Sequence, residues 1–139
     1  MTNGSTNQHF GWALIGCGGI GNWHARWATE TPDIDVRGFC DIRPEAAAKF
    51  HDQHGGDFHT DDLARVLEDP TIEVVTIATS HGSHAELALA ALAAGKHVYL
   101  EKPMAMTVAD CLKIYEAMLV AGTKIMINFS IRSLAQPAQ

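Results

Sequence analysis

Short apolar, β-rich runs alternate with stretches of helical period along this chain. Residues 12–15, 35–40, 73–78, 97–100 and 124–129 predict five strands. After the first of them Ile20, Trp23, Trp27 and Ala28 recur at helical spacing, and Pro32 closes the segment. Residues 44–53 predict a second helix, with proline at its start, where the missing N–H costs little. Thr60 is expected to cap a short helix running through Leu67 and stopped by Asp69-Pro70. An alanine-rich helix over 84–94 should end at Gly95 in a left-handed cap. Thr107-Val108-Ala109-Asp110 resembles a capping box with Asp in place of Glu. It opens a helix expected to turn Cys111, Tyr115, Met118 and Leu119 inward and to end at Gly122. Strand and helix in alternation predict βαβ units, hence an α/β fold: a doubly wound parallel sheet of Rossmann type, covered on both faces.

Composition narrows this to one domain. A chain of 139 residues that is 47% hydrophobic builds one sizeable core and hardly two. Residues 1–9 are polar and read as a disordered segment, 10–132 as the domain, and 133–139 as an unpatterned tail. A formal charge of −6, with its ten Lys and Arg scattered, argues against nucleic acid or an anionic membrane surface as partner. No apolar run reaches the roughly 18 residues of a membrane helix, and the first residues carry no secretory pattern. Three cysteines, Cys17, Cys40 and Cys111, are odd in number and irregular in spacing, which reads as reduced thiols in a cytoplasmic protein.

The chemistry begins at Gly16-Cys17-Gly18-Gly19-Ile20-Gly21, set between the first strand and the first helix. Gly16 suits a sharp turn off the strand, Gly18 a close backbone approach to a pyrophosphate, and Gly21 close packing of helix on sheet. The helix N-terminus offers N–H groups to the phosphates. Asp41, twenty positions past Gly21 at the end of the second strand, suits the adenosine ribose hydroxyls and repels a 2′-phosphate, so NAD is favoured over NADP. Arg43 qualifies that preference, since a guanidinium there can stack on adenine or meet a phosphate. Beyond the third strand come Thr79, Ser80, His81 and His84, at the edge where open α/β sheets bind ligands. His81 reads as a loop residue facing the site; His84 opens a helix, where a capping or packing role is at least as natural as a cofactor contact. The cluster His51, Asp52, Gln53, His54, Asp57 and His59 has no third and fourth ligand spaced for a closed metal site and reads as a solvated helix end.

The next strand ends in Glu101-Lys102-Pro103. The glycine fingerprint, the acid, Thr79-x-x-x-x-His84, Gly95-Lys96-His97-Val98 and Glu101-Lys102-Pro103, in this order, resemble the N-terminal domain of the glucose–fructose oxidoreductase, inositol dehydrogenase and MocA family. The likeness runs from about Phe10 to Arg132. It implies an oxidoreductase that passes a hydride between a nicotinamide cofactor and a sugar, polyol or related secondary alcohol. It further implies that Glu101 and Lys102 sit beside the nicotinamide ribose, that Lys102 polarises or orients the reacting oxygen, and that Arg132 matches the family arginine. Ser80 and Ser130 depart from the family's usual proline and asparagine. Relatives continue into a second α/β domain that lines the substrate pocket, supplies the proton-handling residue and builds the subunit interface, leaving room for a homo-oligomer. The chain stops where that domain would begin, so by itself it is expected to lack turnover, and a non-catalytic NAD-binding or regulatory module is the alternative.

Overall fold

Strand β1 (Phe10–Ile15) is buried over nearly its whole length, and its side chains serve two cores in turn. Trp12 and Leu14 join Phe39, Phe50, Ala25, Ala28 and Ala47 on one face of the sheet. Ala13 and Ile15 join Val75, Ile77, Val98, Leu100, Leu92 and Ile114 on the other. A strand buried on both faces needs a continuous apolar run rather than alternation, which is what Trp12-Ala13-Leu14-Ile15 supplies.

In the computed structural model, which describes residues 8–129, β1 is one of six parallel strands. The others are β2 (Ile34–Cys40), β3 (Phe58–Thr60), β4 (Val74–Ile77), β5 (His97–Glu101) and β6 (Ile125–Asn128), in the order β3-β2-β1-β4-β5-β6. Helices α1 (Gly19–Glu30) and α2 (Pro44–His54) contribute to the first core; α3 (Leu63–Leu67), α4 (His84–Ala93) and α5 (Val108–Ala121) contribute to the second. Strand order reverses between β1 and β4, so the connections leaving their carboxyl ends run to opposite faces of the sheet and open a crevice between them. Residues 1–7 of the segment 1–9 expected to be disordered, the tail 133–139, and Ser130 and Arg132 lie outside the described residues, while His9 is described and places Nδ1 3.1 Å from Asp35 Oδ1. No helix among the described residues is long and apolar enough to cross a membrane.

Two expectations, the Thr60 cap and the inward face of α5, need correction, and the structure adds β3 and the buried face of α1. The short strand β3 went unpredicted, and Thr60 ends it rather than capping a helix; the cap of α3 is Asp62, whose carboxylate accepts from the Ala64 N–H at 3.0 Å. The apolar repeat of α1 does not mark its buried face. Gly21, His24, Ala25 and Ala28 face inward, and Ile20, Trp23 and Trp27 stay exposed. In α5, Ile114 is fully buried, with Ala117, Met118 and Ala121 beside it, while Tyr115 and Leu119 are exposed. Apolar residues lie all round that helix, so composition left its phase open and the packing of Ile114 against the core set it.

Lys96, in the turn between α4 and β5, is buried, and its ammonium donates to the carbonyls of Asp69 (2.6 Å) and Ile72 (2.7 Å). It ties the α3–β4 connection to the start of β5. Lys96→Met leaves both carbonyls without that donor and should cost about 2 kcal/mol, read from urea unfolding; an unchanged midpoint would show that water replaces the ammonium.

Candidate functional site

The chain leaves β1 at Gly16, whose φ of 103° places it in the left-handed region. A Cβ there would also lie 2.5 Å from the Ala78 carbonyl oxygen, and one on Gly21 would lie 2.2 Å from the Gly16 carbonyl oxygen. The turn and the first turn of α1 are packed too closely for any other residue. Gly18 and Gly19 differ: a Cβ on either would meet no atom within 4 Å. Gly18 is the N-cap of α1, and no side chain caps it. The first-turn N–H groups, which a helix cannot satisfy internally, therefore face an open cradle. A pyrophosphate fits this space and this polarity.

Asp41 closes the loop from behind. Its Oδ2 accepts from the Cys17 N–H at 2.8 Å; its Oδ1 accepts from the Arg43 N–H at 2.8 Å and from Arg43 Nε at 3.3 Å. Burial pushes this carboxyl upward, but hydrogen bonds from the Arg43 and Cys17 amides and from the Arg43 guanidinium outweigh it and hold the group below the ordinary carboxylate range. Asp41 is therefore an anion at neutral pH. Burial, then the Asp41 charge, pushes the Cys17 thiol up to about 12, and the same causes push Cys40 up to about 11. Neither is a thiolate at neutral pH, and Cys17, Cys40 and Cys111 are all unpaired.

A cleft of about 420 Å³ lined by Gly18, Gly19, Asn22 and Arg43 lies on the α2 side of the glycine turn, and two more flank the turn and meet at Thr79. One, of about 490 Å³, is lined by Gly16, Gly18, Asp41, Arg43, Thr79 and Ser80, among others. The other, of about 310 Å³, is lined by Ile20, Trp23, Thr79, His81, Glu101, Lys102 and Asn128. Thr79 belongs to both walls. The fold thus brings the candidates of four separate loops to one crevice, with the β2-end carboxylate on one side and Glu101-Lys102 on the other. Gly21 lines none of these clefts and serves packing. His84 also lines none: it is fully buried, with Nδ1 2.7 Å from the Pro103 carbonyl oxygen and Nε2 3.2 Å from that of Thr79. It braces the loops after β4 and β5 against each other.

Two residues of the site were not singled out from the sequence. His24 of α1 places Nε2 2.6 Å from Glu101 Oε1, and Asn128, the last residue of β6, donates to the same oxygen at 2.7 Å. A signal existed at His24, which is in helical phase with Gly21, Ala25 and Ala28; a polar residue on a buried face needs a partner. The histidine cluster splits: the His51 and His59 rings stay 5.3 Å apart, with His51 Nε2 3.1 Å from the Gly56 carbonyl oxygen, while His54 Nε2 meets Asn22 Oδ1 at 2.9 Å. His54 thereby packs against α1 instead of being a solvated end. No group of three His, Cys, Asp or Glu among the described residues could hold a metal ion.

Residues 10–129 match the family model described as GFO_IDH_MocA, oxidoreductase family, NAD-binding Rossmann fold. The chain is 35% identical over 115 residues to an inositol 2-dehydrogenase/D-chiro-inositol 3-dehydrogenase of Lactiplantibacillus plantarum, an alignment covering 81% of this chain and 33% of that protein. Among solved structures it is similar to levoglucosan dehydrogenase in complex with NADH and levoglucosan (TM-score 0.81, 32% identity, 86% of this chain and 35% of that one). It is also similar to GenD2 from gentamicin A biosynthesis in complex with NAD (TM-score 0.84, 26% identity, 92% and 37%). The chain spans about a third of the length of the relatives it matches.

Proposed function

The chain belongs to the Gfo/Idh/MocA oxidoreductase family, as its NAD-binding Rossmann fold, and from that premise we propose that it is the cofactor half of a dehydrogenase acting on a sugar, a polyol or a related secondary alcohol. The observation that carries this is the pair of clefts meeting at Thr79 across the Gly16–Gly21 turn, one ending in Asp41 and the other in Glu101-Lys102. Adenosine belongs in the first, its ribose hydroxyls donating to the Asp41 carboxylate, with the pyrophosphate over Gly18 and Gly19. Nicotinamide and its ribose belong in the second. When bound, the nicotinamide supplies hydride acceptance and donation at its C4. Lys102 donates a hydrogen bond to the reacting oxygen, holding the alcohol in place and polarising the carbonyl in the reverse direction. Arg132 is proposed to complete the nicotinamide side. Inositol and levoglucosan dehydrogenases among the relatives support a polyhydroxylated substrate. Three unpaired cysteines accord with a cytoplasmic setting.

The test is titration of the 139-residue polypeptide with NADH, followed by calorimetry or by quenching of Trp23 fluorescence. A Kd between about 1 μM and 1 mM is expected, the range in which enzymes commonly hold their substrates. No saturable binding in that range would remove the proposal. In the same polypeptide we expect turnover of polyols far below about 1 per second. Among the described residues, only His81, Glu101 and Lys102 offer titratable groups on the nicotinamide-side cleft. Turnover at ordinary enzymic rates, abolished by Lys102→Ala, would show that this chain assembles a working site unaided.

A further inference from the structure

Glu101 is held in an unequal way. His24 and Asn128 approach it from two different elements, and both meet the same oxygen, Oε1, at 2.6 and 2.7 Å. A carboxylate oxygen can only accept, so His24 presents Nε2–H to it and Asn128 presents its amide N–H. His24 has no freedom to move away: its side chain is 2% exposed and its ring is wedged edge-on between Trp23 (5.3 Å) and Tyr99 (5.4 Å). Asn128 is buried at the end of β6. Oε2 receives no comparable donor among the described residues, and Glu101 lines the nicotinamide-side cleft together with Lys102. Two donors on one oxygen fix both rotation and tilt of the carboxylate plane, and leave the second oxygen available as an aimed acceptor.

We propose that His24 and Asn128 are positioning residues, which lock Glu101 through Oε1 so that Oε2 accepts a hydrogen bond from the hydroxyls of the nicotinamide-side ribose. This rests on the dinucleotide reading above. It predicts a division of labour within one ligand: the pair acts on the nicotinamide half and leaves the adenosine half untouched. A purely structural role, tying α1 to β5 and β6, would affect both halves alike.

The experiment uses NADH and ADP-ribose, which share the adenosine and pyrophosphate portion and differ in the nicotinamide ring. It adds ADP, which lacks the second ribose altogether. His24→Phe keeps a ring of similar size without the donor, Asn128→Leu removes the other donor at nearly constant volume, and His24→Gln restores an N–H at similar reach. Each variant is first checked by thermal unfolding. His24→Phe and Asn128→Leu should weaken NADH and ADP-ribose by about 10-fold each, while ADP affinity stays within about 2-fold of the parent. His24→Gln should recover most of the loss. Fluorescence polarisation of bound NADH should fall in the two donor-less variants, as the nicotinamide end loosens. Equal weakening of ADP would mark the pair as structural and overturn the inference, as would unchanged NADH affinity in both variants. If His24→Phe fails to fold, Asn128→Leu decides alone. Failure of the parent chain to bind any of the three ligands would instead overturn the dinucleotide reading, a result that no variant is needed to see.

Discussion

Gly18→Val should abolish NADH binding, weakening it at least about 100-fold, while leaving the unfolding temperature of the chain where it was. The space a Cβ would enter at Gly18 is empty of protein, so the folded chain has nothing to clash with and only a ligand has something to lose. A branched side chain there occupies the cradle where the phosphates must approach the first-turn amides of α1. Gly21→Val should do the reverse in kind. Its Cβ would lie 2.2 Å from the Gly16 carbonyl oxygen and 3.3 Å from Leu14 Cδ2, so α1 must lift off the sheet or the β1 turn must deform. Several kcal/mol of stability should go, about 3 or more by the measure of an overpacked core, and binding would fall only because the site is no longer assembled. Calorimetric titration and thermal unfolding on the two variants separate the cases. A Gly18→Val chain that binds NADH at near-parent affinity would show that this turn is not the phosphate cradle.

The contrast between these glycines shows where sequence was informative and where it was not. A GxGxxG pattern after a strand and before a helix already assigns the turn to Gly16, the ligand approach to Gly18 and the packing to Gly21. Distances to Ala78 and Gly16 agree with the first and third, and the open space at Gly18 agrees with the second. The parallel sheet was legible because β1, β2, β4, β5 and β6 are apolar runs separated by helical periods. Strand β3 was not, since three residues after Gly55-Gly56-Asp57 are too few to display a period; what holds it is pairing of Gly38, Phe39 and Cys40 with Phe58, His59 and Thr60, a contact between distant segments. The same limit hid the His24–Glu101–Asn128 arrangement, whose members are separated by 77 and 27 positions. In α1 the spacing marks a helix without marking its buried face. Trp23 and Trp27 look like core residues by spacing, yet they border an open groove with Trp12, Tyr99 and Met126 on the face of the sheet beyond α1. Small residues, Gly21, Ala25 and Ala28, bring this helix close to the sheet instead.

Asp41 should set both cofactor choice and part of the acid stability of the fold. The parent chain is expected to prefer NADH over NADPH by about 10- to 100-fold, because a 2′-phosphate would meet an anion already fixed by the Cys17 and Arg43 amides. Arg43 does not reverse this in the parent, since its guanidinium is paired with Asp41 at 3.3 Å. Asp41→Asn removes the negative charge and releases Arg43, so the preference should collapse toward equality or turn to NADPH. The carboxyl is held below its ordinary range in the folded chain, hence its contribution to stability is complete above the unfolded carboxylate pKa of about 4 and is lost as pH falls through the lower folded value. Parent and Asp41→Asn should therefore differ most at neutral pH, by about 1–2 kcal/mol, and converge in strong acid. The NADH preference itself should grow between about pH 5 and 8, because Asp41 stays ionised throughout while the 2′-phosphate of NADPH gains its second negative charge near pH 6. Equal affinity of the parent for both cofactors would show that Arg43 reads the phosphate despite its ion pair. A stability gap that widens in acid would show that the anion is a burden to the fold and that its retention serves the ribose alone.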